Sequence, residues 1–171
     1  MQNTTKLATI TGDGAFRRIE LRQDVNADPT KVWQAVTQSS KVEQWWARIA
    51  IDAQEGGRVV CTSDVENYRE GGIPPLDGIV KTYLPPHVFE FTWNDATEPA
   101  KGLVRFDLVE STGATCVTLV YLVAKEDVQV VAAGWHYLVE RLAEYLNTDE
   151  AVNENQERER QLNSLYEAVL G

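Results

Sequence analysis

The spacing of apolar residues changes period twice along the chain, and the changes divide it. From Phe16 to Val25 the pattern predicts a strand, with Phe16, Arg18, Glu20 and Arg22 on one face and Ile19, Leu21, Gln23 and Val25 set mostly against them. Asn26-Ala27-Asp28-Pro29 then reads as a helix start, with Asp28 as N-cap and Pro29 in the first turn. Val32, Trp33 and Val36 follow at helical spacing and are read as core. A second short helix starts at Ser39 or Ser40 and runs through Val42 to Trp46. After Trp46 the period falls to two. Strands are predicted over 57–63, 78–84, 88–94, 102–110 and 115–123, with a shorter one at 48–52. Turn residues separate them: Gly56-Gly57, the loop from Gly71 to Pro75, Pro85-Pro86, Asn94 to Pro99, and Ser111 to Gly113. Connections this short make antiparallel neighbours, because a parallel crossover needs a dozen residues or more. Helical spacing returns at Asp127, the expected N-cap, and places Val128, Val131, Trp135, Leu138, Leu142 and Tyr145 on one face of a long helix. Gly134 inside that helix predicts a close packing neighbour.

The order strand, two short helices, antiparallel strands, long helix defines an α+β fold. A curved antiparallel sheet buries one face, and the apolar stripe of the long helix covers it. The two short helices plug one end, and such a scaffold can enclose a pocket. The expected organisation is a loose lead-in over 1–14, one domain over 15–148 and a helical extension over 149–171. The extension's stripe of Leu162, Leu165, Tyr166 and Val169 packs on its own domain or on a second copy, making a homodimer.

Several segments, taken in order, carry a family resemblance: ADPTKVWQAVTQSSKVEQWW (27–46), EGGRV (55–59), DGIVKTYLPPHVFEFTW (77–93), TCVTLVY (115–121) and AGWHYLVERLAEYL (133–146). Together they resemble the SRPBCC superfamily and its START-like, birch-pollen-allergen-like helix-grip fold. Within it the chain is most similar to the bacterial branch named for homology to the activator of the heat-shock protein 90 ATPase. The resemblance implies a curved sheet wrapped around the C-terminal helix, and either ligand binding or a chaperone partner. It spans about residues 16–146 and stops short of the extension. The last long strand of this branch often ends in His, and here Tyr121 takes that place.

The inward faces nominate a lining. Phe89, Phe91 and Trp93 share one face of their strand; so do Val104, Phe106 and Leu108, and then Val117, Leu119, Tyr121 and Val123. On 78–84, Val80 and Leu84 alternate in phase. Trp45 and Trp46 end the second short helix, and Val131, Trp135 and Leu138 come from the long one. An apolar wall with few polar points suits a small apolar or aromatic ligand, and Tyr121 offers a phenol that can donate to a ligand carbonyl. The other reading of the same faces is a filled core. His136, about 100° round the helix from Trp135, is expected exposed or at the flank, and His87 at the surface. Glu90, Arg105 and Asp107 fall on the outer face.

Composition narrows the classes. A net charge of −10, with four of the excess charges in the extension, argues against nucleic acid and anionic membrane. No apolar run approaches a membrane span, and the start lacks a signal-peptide core, so a cytoplasmic protein is expected. Cys61 and Cys116 stand apart, with no ligand-spaced His, and are read as reduced core residues; no metal and no cofactor are expected. No nucleophile elbow or phosphate loop appears. The resemblance, with the inward aromatic faces, implies three candidate functions: a cavity protein for a small ligand, a co-chaperone-like interaction module, and a cyclase- or hydratase-type enzyme, the last lacking pocket-facing titratable groups.

Overall fold

The computed structural model describes residues 6–62, 76–93 and 102–171. The predicted loops at 71–75 and 94–99 lie outside them. Eight strands form one antiparallel sheet in the order β1-β2-β8-β7-β6-β5-β4-β3. They are β1 (Thr9–Thr11), β2 (Phe16–Val25), β3 (Ile49–Ile51), β4 (Arg58–Cys61), β5 (Asp77–Leu84), β6 (Val88–Thr92), β7 (Leu103–Ser111) and β8 (Ala114–Ala124). The helices are α1 (Pro29–Thr37), α2 (Ser39–Val42), α3 (Val128–Thr148) and α4 (Gln156–Leu170). The architecture is the expected α+β helix-grip fold, an open curved sheet with a long helix across one face.

Local chemistry sets the helix starts. The Asp28 carboxylate accepts from the Lys31 amide at 2.9 Å, with Pro29 opening α1. Asp127 precedes α3 after a 3₁₀ turn, but its side chain makes no capping bond. After α2 the chain continues as a hydrogen-bonded turn to Trp46, whose amide donates to the Val42 carbonyl.

The structure departs from the sequence pattern at particular places. The polar start supplies an edge strand, Thr9–Thr11, paired with β2. Between Val80 and Thr82, β5 carries an extra residue against β6, so Tyr83 rather than Leu84 turns inward and Leu84 is exposed. Cys61 and Cys116 are half-buried thiols rather than core residues, because Cys116 falls on the outward phase of β8. Gly134 has open space where a β-carbon would stand, so packing does not require it. Gly78 does require its lack of side chain: a β-carbon there would collide with the Thr92 carbonyl oxygen.

The extension docks on its own domain. Leu162 and Tyr166 are fully buried against it, whereas Leu165 and Val169 of the same predicted stripe face outward. His136 is 6% exposed, not at an open flank. Its Nδ1 lies 2.8 Å from the Tyr166 hydroxyl and its Nε2 3.3 Å from Glu140. The helical-wheel angle was right, but α4 covers that second face of α3.

Candidate functional site

The inward strand phases place Val80, Phe89, Phe91, Val104, Phe106, Leu108, Val117 and Leu119 in the core at 0–1% exposure. These residues line the sheet's inner face as solid packing. Trp45 is also sealed, and its indole N–H donates to the Ala35 carbonyl at 2.9 Å. It is an anchor for the turn that follows α2, and that turn presents its neighbour.

Trp46 is half-buried and sits at the centre of an aromatic group. Its ring centroid lies 5.0 Å from that of Trp135, 6.1 Å from Trp93 and 6.5 Å from Phe91. Trp135 also meets Tyr121 at 5.7 Å and Phe106 edge-on at 6.2 Å. Three strands, β6, β7 and β8, the helix α3 and the turn after α2 therefore converge on one spot, and Val131 and Leu138 of α3 are half-buried against the same core. A second group, Trp33, Tyr83 and Phe89, joins it through the Phe89–Phe91 contact at 5.2 Å. Trp33 is core, as its helical position implies.

Tyr121 supplies the polar point. The side chain is 6% exposed, between Trp93 and Trp135, and its hydroxyl makes no hydrogen bond with the described residues. No buried side-chain nitrogen or oxygen among those residues is sealed away without a partner, so this hydroxyl opens onto accessible space. The indole N–H groups of Trp46 and Trp135 are in the same condition. Burial, and then the charge of Asp127, push the Tyr121 phenol above its ordinary pKa, so it stays a proton donor at neutral pH. Gly102, at φ +119°, makes the arrangement possible: a β-carbon there would press on the Trp93 side chain and approach the Tyr121 hydroxyl to 3.5 Å.

Apart from Asp127, whose charge reaches the Tyr121 phenol, the charged strand residues stay off this wall. Glu90, Arg105 and Asp107 pair with one another on the outer face, Arg105 Nε donating to Asp107 at 2.9 Å and Arg105 Nη1 lying 3.5 Å from Glu90. His87 is exposed in the turn after Pro86. It borders an open groove of about 490 Å³ with Asp28, Lys31, Gln34 and Glu110, away from the aromatic group. Among the described residues no three His, Cys, Asp or Glu side chains gather as metal ligands. No helix among the described residues is long and apolar enough to cross a membrane.

Sequence reasoning passed over Arg141. It is 9% exposed, and its guanidinium donates to the carbonyls of Trp45 (2.7 Å), Asn153 (3.0 Å) and Val152 (3.1 Å) and to the Tyr137 hydroxyl (3.1 Å). Its only sequence signal is a cation one step before Leu142 in an apolar stripe.

An eight-stranded curved sheet gripping a long helix, with aromatics gathered beneath that helix, defines a helix-grip protein. The family model described as activator of Hsp90 ATPase homolog 1-like protein matches residues 26–147, and the chain belongs to that family. The CalU16 crystal structure from Micromonospora echinospora is similar at TM-score 0.73 and 19% identity, covering 99% of both chains. A conserved protein of unknown function from Enterococcus faecalis, EF2215, matches at TM-score 0.73 and 18% identity over 95% of this chain and 90% of its own. The Aha1 dimer from Colwellia psychrerythraea matches at TM-score 0.60 and 17% identity, over 77% of this chain and 96% of its own. Among curated proteins no sequence gives a significant match.

Proposed function

We propose that the protein binds a small, flat, mostly apolar or aromatic ligand between the sheet and α3, without chemistry of its own. One observation carries this reading: Tyr121, almost wholly buried among aromatic rings, has a hydroxyl with no partner among the described residues. The hydroxyl is accessible rather than sealed, and a hydrogen bond made there to a ligand would contribute about 0.5–1.5 kcal/mol net. A ligand carbonyl or ether oxygen would meet it, while the rings of Trp46, Trp93 and Trp135 would take the apolar body. The ligand is neutral in this reading, since the nearby Asp127 carboxylate disfavours an anion beside the Tyr121 hydroxyl. A phenol whose pKa is raised by burial and by Asp127 holds its proton, which favours hydrogen-bond donation over proton transfer. Two thiols not joined in a disulfide accord with a cytoplasmic setting.

The test is a titration with an aromatic ketone, 2-acetylnaphthalene, against the protein and Tyr121→Phe. The variant should keep its melting temperature and bind about tenfold more weakly, the loss of one hydrogen bond. Equal affinities would remove Tyr121 from the site.

The family description favours a second reading, a chaperone-binding module. It requires stimulation of an Hsp90-type ATPase by the purified protein; no stimulation and no co-purification would dismiss it. The similarity to the Aha1 dimer, together with Leu165 and Val169 exposed on α4, supports a pairing of two copies, which light scattering resolves.

A further inference from the structure

The extension after α3 lies beyond the family match, yet it is wired to the turn that presents Trp46. Arg141 is the junction. From α3 it reaches the Trp45 carbonyl with Nε and the Val152 and Asn153 carbonyls with its two Nη groups. Val152 closes the loop, its amide donating to the Gln44 carbonyl at 2.8 Å. Tyr137 steadies both parts: the guanidinium stands 5.3 Å over its ring, and its hydroxyl accepts from the Asn155 amide at 2.7 Å. Arg141 forms no ion pair among the described residues; carbonyl oxygens and one hydroxyl satisfy it. A buried cation held by backbone carbonyls of two segments and by one tyrosine hydroxyl fixes those segments to each other, since losing either leaves part of the charge unmet. The same turn is also tied by the Trp45 indole bond to Ala35 and by the Arg48–Glu43 ion pair.

We propose that Arg141 is a positioning residue that couples the C-terminal extension to the aromatic site, so that release of residues 149–155 shifts Trp46 and weakens ligand binding. The proposal rests on the ligand reading above for its functional half and on the hydrogen bonds alone for its structural half. Lysine cannot replace the fork, because one ammonium does not span Trp45, Val152 and Asn153 in a plane.

The experiment uses the full chain labelled with 5-fluorotryptophan, in which each of the five tryptophans gives a fluorine resonance assigned by Trp→Phe substitution. Arg141→Gln, Arg141→Lys and Val152→Pro are compared with the parent, with amide exchange at residues 149–155 measured in parallel. Val152→Pro removes the donor to Gln44 without touching α3. The expected result is faster exchange at 149–155, a displaced or broadened Trp46 resonance and an unmoved Trp33 resonance. Affinity for 2-acetylnaphthalene should fall about tenfold in both Arg141 variants. If exchange rises while the Trp46 resonance stays in place, the coupling is refuted. If the parent binds no 2-acetylnaphthalene but Trp46 still moves, the ligand reading fails and the coupling stands. Should Arg141→Gln not fold, Val152→Pro decides between the same two results.

Discussion

At the scale of single residues, two buried tyrosines have hydroxyls with opposite fates. The Tyr166 hydroxyl is fully engaged, accepting from the Ala8 amide at 2.8 Å and bonded to His136. The Tyr121 hydroxyl has no such partner, and that contrast marks the site. Tyr166 belongs instead to a polar chain that continues through His136 to Glu140 and Arg158, whose Nε and Nη2 contact the carboxylate at 2.9 and 2.6 Å. Burial opposes the charge on Glu140, but hydrogen bonds from Arg158 and His136 outweigh it and hold the pKa at about 2. Its ordinary value is 4.5, so the folded state gains from this carboxylate above that pH and loses the gain as pH falls towards 2. Amide exchange in α4, taken relative to the intrinsic rate at each pH, should therefore accelerate between about pH 4.5 and 2. In Glu140→Gln it should be faster at neutral pH and nearly flat across that window. A parent-like pH profile in Glu140→Gln would assign the acid response to other carboxylates. None of this was legible beforehand: His136 stands where helical geometry puts it, but only the docking of α4 makes that position interior.

At the scale of elements, most of the plan was legible because periodicity is a physical signal of burial. β2, β5 to β8, α1 and α3 sit close to where the pattern puts them, and the Asp28 cap is formed as its sequence implies. What periodicity misses is a change of phase. One extra residue in β5 exchanges Leu84 for Tyr83 on the inner face, and nothing in DGIVKTYL signals it. β1 was equally hidden, since three residues, TIT, make too short an alternation. Two glycines give opposed predictions at this scale. Gly134→Ala meets open space in a helix and should stabilise by about 0.5–1 kcal/mol, seen as a raised melting temperature. Gly78→Ala drives a β-carbon into the Thr92 carbonyl and should cost several times that, on the order of 3 kcal/mol. If both changed stability alike, packing around these strands and helices would differ from the arrangement described.

At the scale of the whole molecule, charge and aromatic content separate in space. The acidic excess lies partly in the extension, and the charged strand residues pair on the outer sheet face. The rings gather on the inner face, under α3 and against the turn after α2. The sequence nominated Trp46, Trp93, Tyr121 and Trp135 by strand phase and helical spacing, and the fold brings these four together. It equally nominated Trp45, Phe89, Leu108 and Leu119, which are packed solid. Phase tells which way a side chain points but not whether space remains in front of it, so filler and lining looked alike. The central claim, proposed above, is that Trp46, Trp93, Tyr121 and Trp135 receive a ligand. It is tested most directly by titrating 2-acetylnaphthalene into the 5-fluorotryptophan-labelled protein and following all five fluorine resonances. The account predicts saturable shifts of Trp46, Trp93 and Trp135, with Trp33 and Trp45 unmoved. Shifts absent throughout, or equal and unsaturating at all five positions, would contradict it.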